Sequence, residues 1–220
     1  MRATYSFGWS GITAATAEIY FHRNGATFVL EGHGGTVGLA RVLWHYDVDY
    51  RSVVDAQTLR PIEAQQIETV RGRRKETHLR FSEDGVSRTR VEGSPPKTST
   101  KDFKLEPLND LQSVLLYLRS QPLHDGSSYR VAVYPADAAY VATVTVTGRD
   151  HIRVHAGSYN AIKLDLRLQR IGKNNELQPH RKFRRATIWI SDDDNRLLLR
   201  IDGQIFIGTV TAELQSARFK

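Results

Sequence analysis

The chain of 220 residues contains no cysteine. That excludes disulfides, thiol nucleophiles and cysteine-ligated zinc together. It also fits an oxidising compartment, where stray thiols are a liability. No uninterrupted apolar run approaches the roughly 20 residues that a membrane-spanning helix needs. The opening residues Met1-Arg2-Ala3-Thr4-Tyr5 lack the apolar stretch of a secretion signal. Either the protein is cytosolic, or the sequence starts after a removed leader and Met1 is an added start. Acidic residues are the minority charge, with 24 Asp and Glu against 31 Lys and Arg, a net charge of +7. A basic surface favours anionic partners such as lipid headgroups, acidic glycans or nucleic acid, although solubility alone also accounts for such a charge.

What the chain does have is period-two alternation. Val42, Trp44, Tyr46, Val48, Tyr50 and Val54 share one parity, and His45, Asp47, Asp49 and Arg51 share the other. Successive side chains of a strand point to opposite faces, so the segment 42–54 reads as a strand with one aromatic face. Ile162, Leu164, Leu166 and Leu168 repeat the pattern, as do the runs 141–147, 188–190, 197–201 and 205–214. Turn chemistry separates these runs at Asn24-Gly25, Gly72, Asp84-Gly85, Gly172, Ser191-Asp192-Asp193 and Asp202-Gly203. Strands joined by short turns, with no alternating helices, predict an all-β antiparallel meander forming one domain over 1–220.

One segment departs from that pattern. Leu111, Val114, Leu115 and Leu118 recur at helical spacing, Asn109 or Asp110 can cap the start, and Pro122 prevents continuation. A helix is expected over about 110–120, preceded by a polar linker at 93–101. Its apolar stripe makes it the natural lid or plug of a curved sheet.

At this helix and beyond, the sequence resembles the bacterial family of domain of unknown function 3108. The residues that carry the likeness are Asp110-Leu111-Gln112-Ser113-Val114-Leu115-Leu116-Tyr117-Leu118-Arg119, Pro122-Leu123 and Gly126. They continue with Ala156-Gly157-Ser158-Tyr159-Asn160-Ala161, Ile188-Trp189-Ile190-Ser191-Asp192-Asp193, Ile207-Gly208-Thr209-Val210 and Glu213-Leu214. Their order and spacing are specific together, and no single motif is. The resemblance implies a Gram-negative envelope protein with a cleaved leader, in the periplasm or cell envelope rather than the cytoplasm. It also implies a meander curled into a half barrel or incomplete barrel, similar in shape to lipocalins and Lol-system lipoprotein carriers. It supplies no catalytic residues.

Candidate chemistry is sparse. His45, Asp47 and Asp49 fit a partial metal site on one strand face, and His151 with His155 another, but a solvated polar face explains both. Ser191-Asp192-Asp193-Asp194-Asn195 lacks the glycine and distal glutamate of a calcium loop, so it reads as a turn fixed by Asp192 or Asp193. Gly32-His33-Gly34-Gly35 and Gly8-Trp9-Ser10-Gly11 match no nucleotide or nucleophile motif and read as bulges or turns. No enzyme activity, metal or cofactor is expected.

The binding candidates are Trp44, Tyr46 and Tyr50, with Leu115 and Leu118 of the helix, lining a concave face that takes an apolar ligand or is simply packed. Arg71, Arg73, Arg74 and Lys75, together with Arg181, Lys182, Arg184 and Arg185, form a candidate basic rim for lipid or an acidic envelope component, with peripheral membrane contact. No nucleic-acid-binding motif is present. An interaction scaffold with a filled core is the alternative function, and a glycan hydrolase with paired carboxylates the second.

Overall fold

The computed structural model describes every residue except Ser10, Lys173, Arg181, Lys182, Phe206, Ile207 and Lys220, and the side chain of Arg184. The N-terminal strands are β1 (Arg2–Trp9), β2 (Ile12–Asn24), β3 (Thr27–Thr36), β4 (Tyr46–Asp55), β5 (Pro61–Val70), β6 (Arg73–Ser82), β7 (Gly85–Glu92) and β8 (Lys97–Phe103). The C-terminal strands are β9 (Ser128–Val133), β10 (Tyr140–Val154), β11 (Gly157–Ile171), β12 (Leu177–Pro179), β13 (Phe183–Ser191), β14 (Leu198–Ile205) and β15 (Gly208–Arg218). Two helices interrupt them, α1 (Gly38–Leu43) and α2 (Leu111–Ser120).

All strands belong to one antiparallel sheet in the order β8-β7-β6-β5-β4-β3-β2-β1-β15-β14-β13-β11-β10-β9, with β12 beside β11. The two ends of the chain therefore zip together in the middle of the sheet, from Arg2 opposite Arg218 to Trp9 opposite Val210. The predicted all-β incomplete barrel is what forms. The sheet does not close into a barrel.

Cross-strand partners share a face, so the register defines the inner surface. In the C-terminal half one row runs Val146, Leu164, Ile188, Ile201, Ala212, Phe7. In the N-terminal half the rows are Tyr50, Gln66, Thr77, Arg90 and Ser52, Ala64, Leu79, Arg88. The open edges approach one another without strand pairing. Ala64, Leu79 and Val86 pack in one cluster with Leu108, Tyr134, Ala139 and Ile171 from the other end of the sheet. The Phe103 and Tyr134 rings meet at a tilt of 40° with centroids 5.8 Å apart, and Arg88 and Arg90 both pair with Asp137.

Helix α2 starts where expected, with Asp110 as its cap in a capping box with Ser113. Its rotation differs from the predicted stripe. Leu118 is buried with Val114 and Tyr117 against the C-terminal interior, while Leu111 is exposed and Gln112 and Ser113 are buried. Asp110 decides this, because its carboxylate accepts from Tyr50 and Ser52 on β4 and pins the first turn to the sheet.

Four local expectations are corrected. The predicted strand over 42–54 begins only at Tyr46. Val42 belongs to α1 and Trp44 to the connection, because Leu39, Val42 and Leu43 also satisfy helical spacing and Trp44 N donates to Ala40 O at 2.8 Å. The polar segment 93–101 is no free linker, since its second part pairs with β7 as β8. Asp202-Gly203 lies inside β14, where Asp202 accepts from Arg200 and Thr211 at 2.9 Å each. The glycines of β3 also mark no bulge, as both of its ladders keep register. A Cβ on Gly35 would collide with the Asp47 side chain and lie 3.0 Å from Tyr46 O, so close approach explains that glycine.

Candidate functional site

The seam between the sheet's open edges forms a half-open cavity of about 510 Å³. Its apolar wall comes from six separate segments, with Leu59, Leu105, Pro107, Val131, Val141, Ile171 and Leu177 facing it beside Tyr117 of α2. The local structure that aims them is specific. Asp55 Oδ1 accepts from the backbone of Gln57 and Thr58 and from the Thr58 hydroxyl, which folds the β4–β5 turn and places Leu59 at φ 57. That left-handed conformation is costly for leucine, so the turn over-determines it. The connection after β8 is laid on β9 by Asn109 N and Nδ2 donating to Ala132 O at 3.0 and 3.1 Å. Tyr134 N returns a bond to Asn109 O at 2.8 Å.

Two arginines mark the polar side of the cavity. Arg60 pairs with Glu106 at 2.9 Å. Arg130 has no carboxylate within ion-pairing distance among the described residues. The pocket is therefore mostly oily, open on one side and flanked by an exposed arginine without a carboxylate partner, which suits an apolar chain ending in an anionic group.

The sequence-predicted binding residues do not assemble there. Tyr50 is half-buried with its hydroxyl 3.1 Å from Asp110 Oδ2, and burial followed by that carboxylate raises its pKa well above the usual range. Tyr46 bonds Glu68 at 3.0 Å, and burial is again the first cause of its raised pKa. Leu118 is a core residue and Leu115 is half-buried on the same helix. Trp44 is exposed, with the Arg71 guanidinium 4.3 Å over its ring. The concave face is thus packed by core clusters and by α2 rather than open along its length.

The basic clusters are also resolved into separate roles. Lys75 pairs with Glu68, and Arg74 with Glu76 at 3.1 Å. Arg71 and Arg73 have no carboxylate partner among the described residues. Arg181, Lys182 and the Arg184 side chain lie outside the described residues, and Arg185 bonds Gln204 at 3.2 Å. Seven strands separate β6 from β13 in the sheet order.

The remaining polar candidates are engaged with each other. His45 Nε2 lies 2.8 Å from Asp47, and Arg41 pairs with Asp47 at 2.7 Å, so a cation already occupies that carboxylate. Arg41 first and His45 second lower the Asp47 pKa to about 2. Asp49 faces His33 at 2.7 Å on the neighbouring strand. His151 contacts Asn160 at 3.1 Å, and the His155 amide donates to Glu213. Among the described residues no three His, Asp or Glu side chains are grouped to hold a metal. Asp193 does fix its turn as predicted, accepting from the Ser191 hydroxyl and from the Asn195 and Arg196 amides at 2.7 to 3.1 Å.

Sequence reasoning missed the cavity because its lining is single apolar residues scattered from 58 to 177. The one local signal was the turn at 55–61, and nothing in it announces a pocket.

The family model described as "Protein of unknown function (DUF3108)" matches residues 3–215. No curated protein matches the chain in sequence. Among solved structures, a beta-barrel-like protein of domain of unknown function DUF1849 from Brucella abortus superposes with a TM-score of 0.68 at 12% identity, covering 100% of this chain and 97% of that one. A DUF1089 family protein from Pseudomonas aeruginosa gives 0.46 at 12% identity over 87% and 90% of the two chains. A chain described as "a putative lipoprotein" from Parabacteroides distasonis gives 0.39 at 7% identity over 99% and 94%. Only the first is similar enough to bear on the fold.

Proposed function

The chain belongs to the DUF3108 family, and from that premise we propose that it is a non-enzymatic protein of the bacterial envelope that carries or shields a small amphipathic ligand in its seam cavity. The ligand class is an apolar chain with an anionic end, such as a fatty acyl acid or the acyl portion of an acidic lipid. One observation carries the reading: a cavity of about 510 Å³ walled by aliphatic side chains with Arg130 unneutralised at its side. That volume falls within the roughly 300–1,000 Å³ of small-molecule sites, whose few polar groups orient a mostly apolar ligand. Strands β8 and β9 share no ladder there, and one backbone bridge, between Asn109 and Val133, ties the segment after β8 to β9 beside the cavity.

Binding of a fluorescent fatty acid to the full chain tests this. Val141→Trp fills the cavity and is expected to abolish binding, while Arg130→Glu lowers affinity at least about tenfold by opposing the anionic end. Native mass spectrometry of gently purified protein reads any retained ligand directly. Binding equal in the parent and both folded variants, or no binding at all, rejects the reading and leaves a filled-core interaction scaffold in its place.

A further inference from the structure

A second surface, sharing no residue with the cavity lining, lies at one end of the sheet. Antiparallel connectivity brings the β1–β2 turn, the connection 37–45 that contains α1, the β5–β6 turn at 71–72 and the β7–β8 turn at 93–96 to this same end. None of these connections contains an Asp or Glu. The connections at the opposite end carry Glu83, Asp84, Glu106, Asp192, Asp193 and Asp194. At the first end the C-terminal connections carry Asp137 and Glu176, so the acid-free surface is confined to the turns of the N-terminal half.

Helix α1 is amphipathic in the reverse sense. Surface helices turn their apolar stripe to the core, but here no residue of the helix is buried. Leu39, Val42 and Leu43, at i, i+3 and i+4, form one face and are 76%, 83% and 76% exposed. The polar side is the one tied to the sheet, through Arg41 to Asp47 and to Thr36 O at 3.2 Å. Trp44 follows, half exposed, with Arg71 over its ring, and Ile12 is 65% exposed on β2, the strand α1 rests on. Arg71 and Arg73 extend from the adjacent turn without carboxylate partners among the described residues.

Large aliphatic side chains held outward by a polar tether, flanked by Arg71 and Arg73 and with no acid in the four surrounding connections, match the boundary between acyl chains and anionic headgroups. We propose that this end docks on a bilayer surface containing anionic lipid, with Leu39, Val42 and Leu43 entering the interface, Trp44 at headgroup level and Arg71 and Arg73 on phosphates. Charge complementarity selects this occupant over a second copy of the chain docked through the same face, which would bring Arg71 and Arg73 against their own counterparts.

Co-sedimentation of the full chain with vesicles decides it. Phosphatidylcholine vesicles containing phosphatidylglycerol are expected to bind the protein, and phosphatidylcholine alone to bind it at least about tenfold more weakly. The triple variant Leu39→Ser, Val42→Ser, Leu43→Ser is expected to lose at least about tenfold in partition, as removal of several inserting side chains implies. Arg71→Glu with Arg73→Glu loses a similar factor, and raised salt reduces parent binding. All five sites are exposed, and circular dichroism checks that the variants fold. Binding that survives the serine triple, equal binding to neutral vesicles, or no binding to anionic vesicles overturns the proposal. So does concentration-dependent self-association abolished by the same serines, which would assign the face to a second copy.

Discussion

The two halves of the sheet are built from the same pleated geometry but hold their interiors by different means. In the C-terminal half the fully buried side chains are mostly large and aliphatic, Leu123, Ile162, Leu164, Ile190, Leu199 and Leu214, together with Tyr134. In the N-terminal strands the largest fully buried side chains are only Val54 and Thr77, with Ala3 and Ser52 also buried and Asp110 reaching in from the start of α2. One interior rests on apolar burial, which tolerates many arrangements of similar volume. The other combines a smaller apolar cluster around Leu79 and Val86 with directed hydrogen bonds, which accept few arrangements. The helix spans both, its cap on the polar half and Leu118 in the apolar half.

That contrast can be broken most sharply in the apolar half. Leu164→Ala should cost about 3–4 kcal/mol in urea unfolding, because a closely packed site does not collapse around the missing volume. A cost under about 1 kcal/mol would show that this interior is loosely filled. Asp110→Ala comes next, at about 2–3 kcal/mol, since it removes a helix cap and strands two buried hydroxyls. Asp110→Asn keeps an oxygen for the Ser113 amide and should recover part of that loss, an outcome that equal Ala and Asn values would contradict. The smallest effect is expected at Gln112, which is 3% exposed and whose amide oxygen and nitrogen both lack a partner among the described residues. Gln112→Met relieves that desolvation and should change stability by less than about 1 kcal/mol, upward. A loss above about 2 kcal/mol would mean that the amide is satisfied by buried water.

Much of the C-terminal half could be read before any coordinates. Leu164, Leu166 and Leu168 alternate against Asp165, Arg167 and Gln169, and burial there follows parity closely enough to fix the strand and its inner face. The N-terminal half was less legible. Its inner face carries Gln66, Thr77, Arg88 and Arg90, whose polarity looks like solvent exposure until the other edge of the sheet covers it. Parity also failed at 42–44, where apolar residues satisfied two periods at once and a glycine at φ 53 turned the chain into α1. The predicted aromatic trio was dispersed for the same reason, with Trp44 on the connection and Tyr46 and Tyr50 bonded to different carboxylates.

By itself the sequence determined the antiparallel meander, the capped helix at 110–120, the Asp193 turn and the basic character, because alternation, capping and turn chemistry act over a few residues. Tertiary structure alone decided that the termini zip together at mid-sheet, that the free edges meet around a cavity, and that α1 turns its leucines outward. Those outcomes depend on how far a twisted ribbon curls before distant segments touch, which no local pattern encodes.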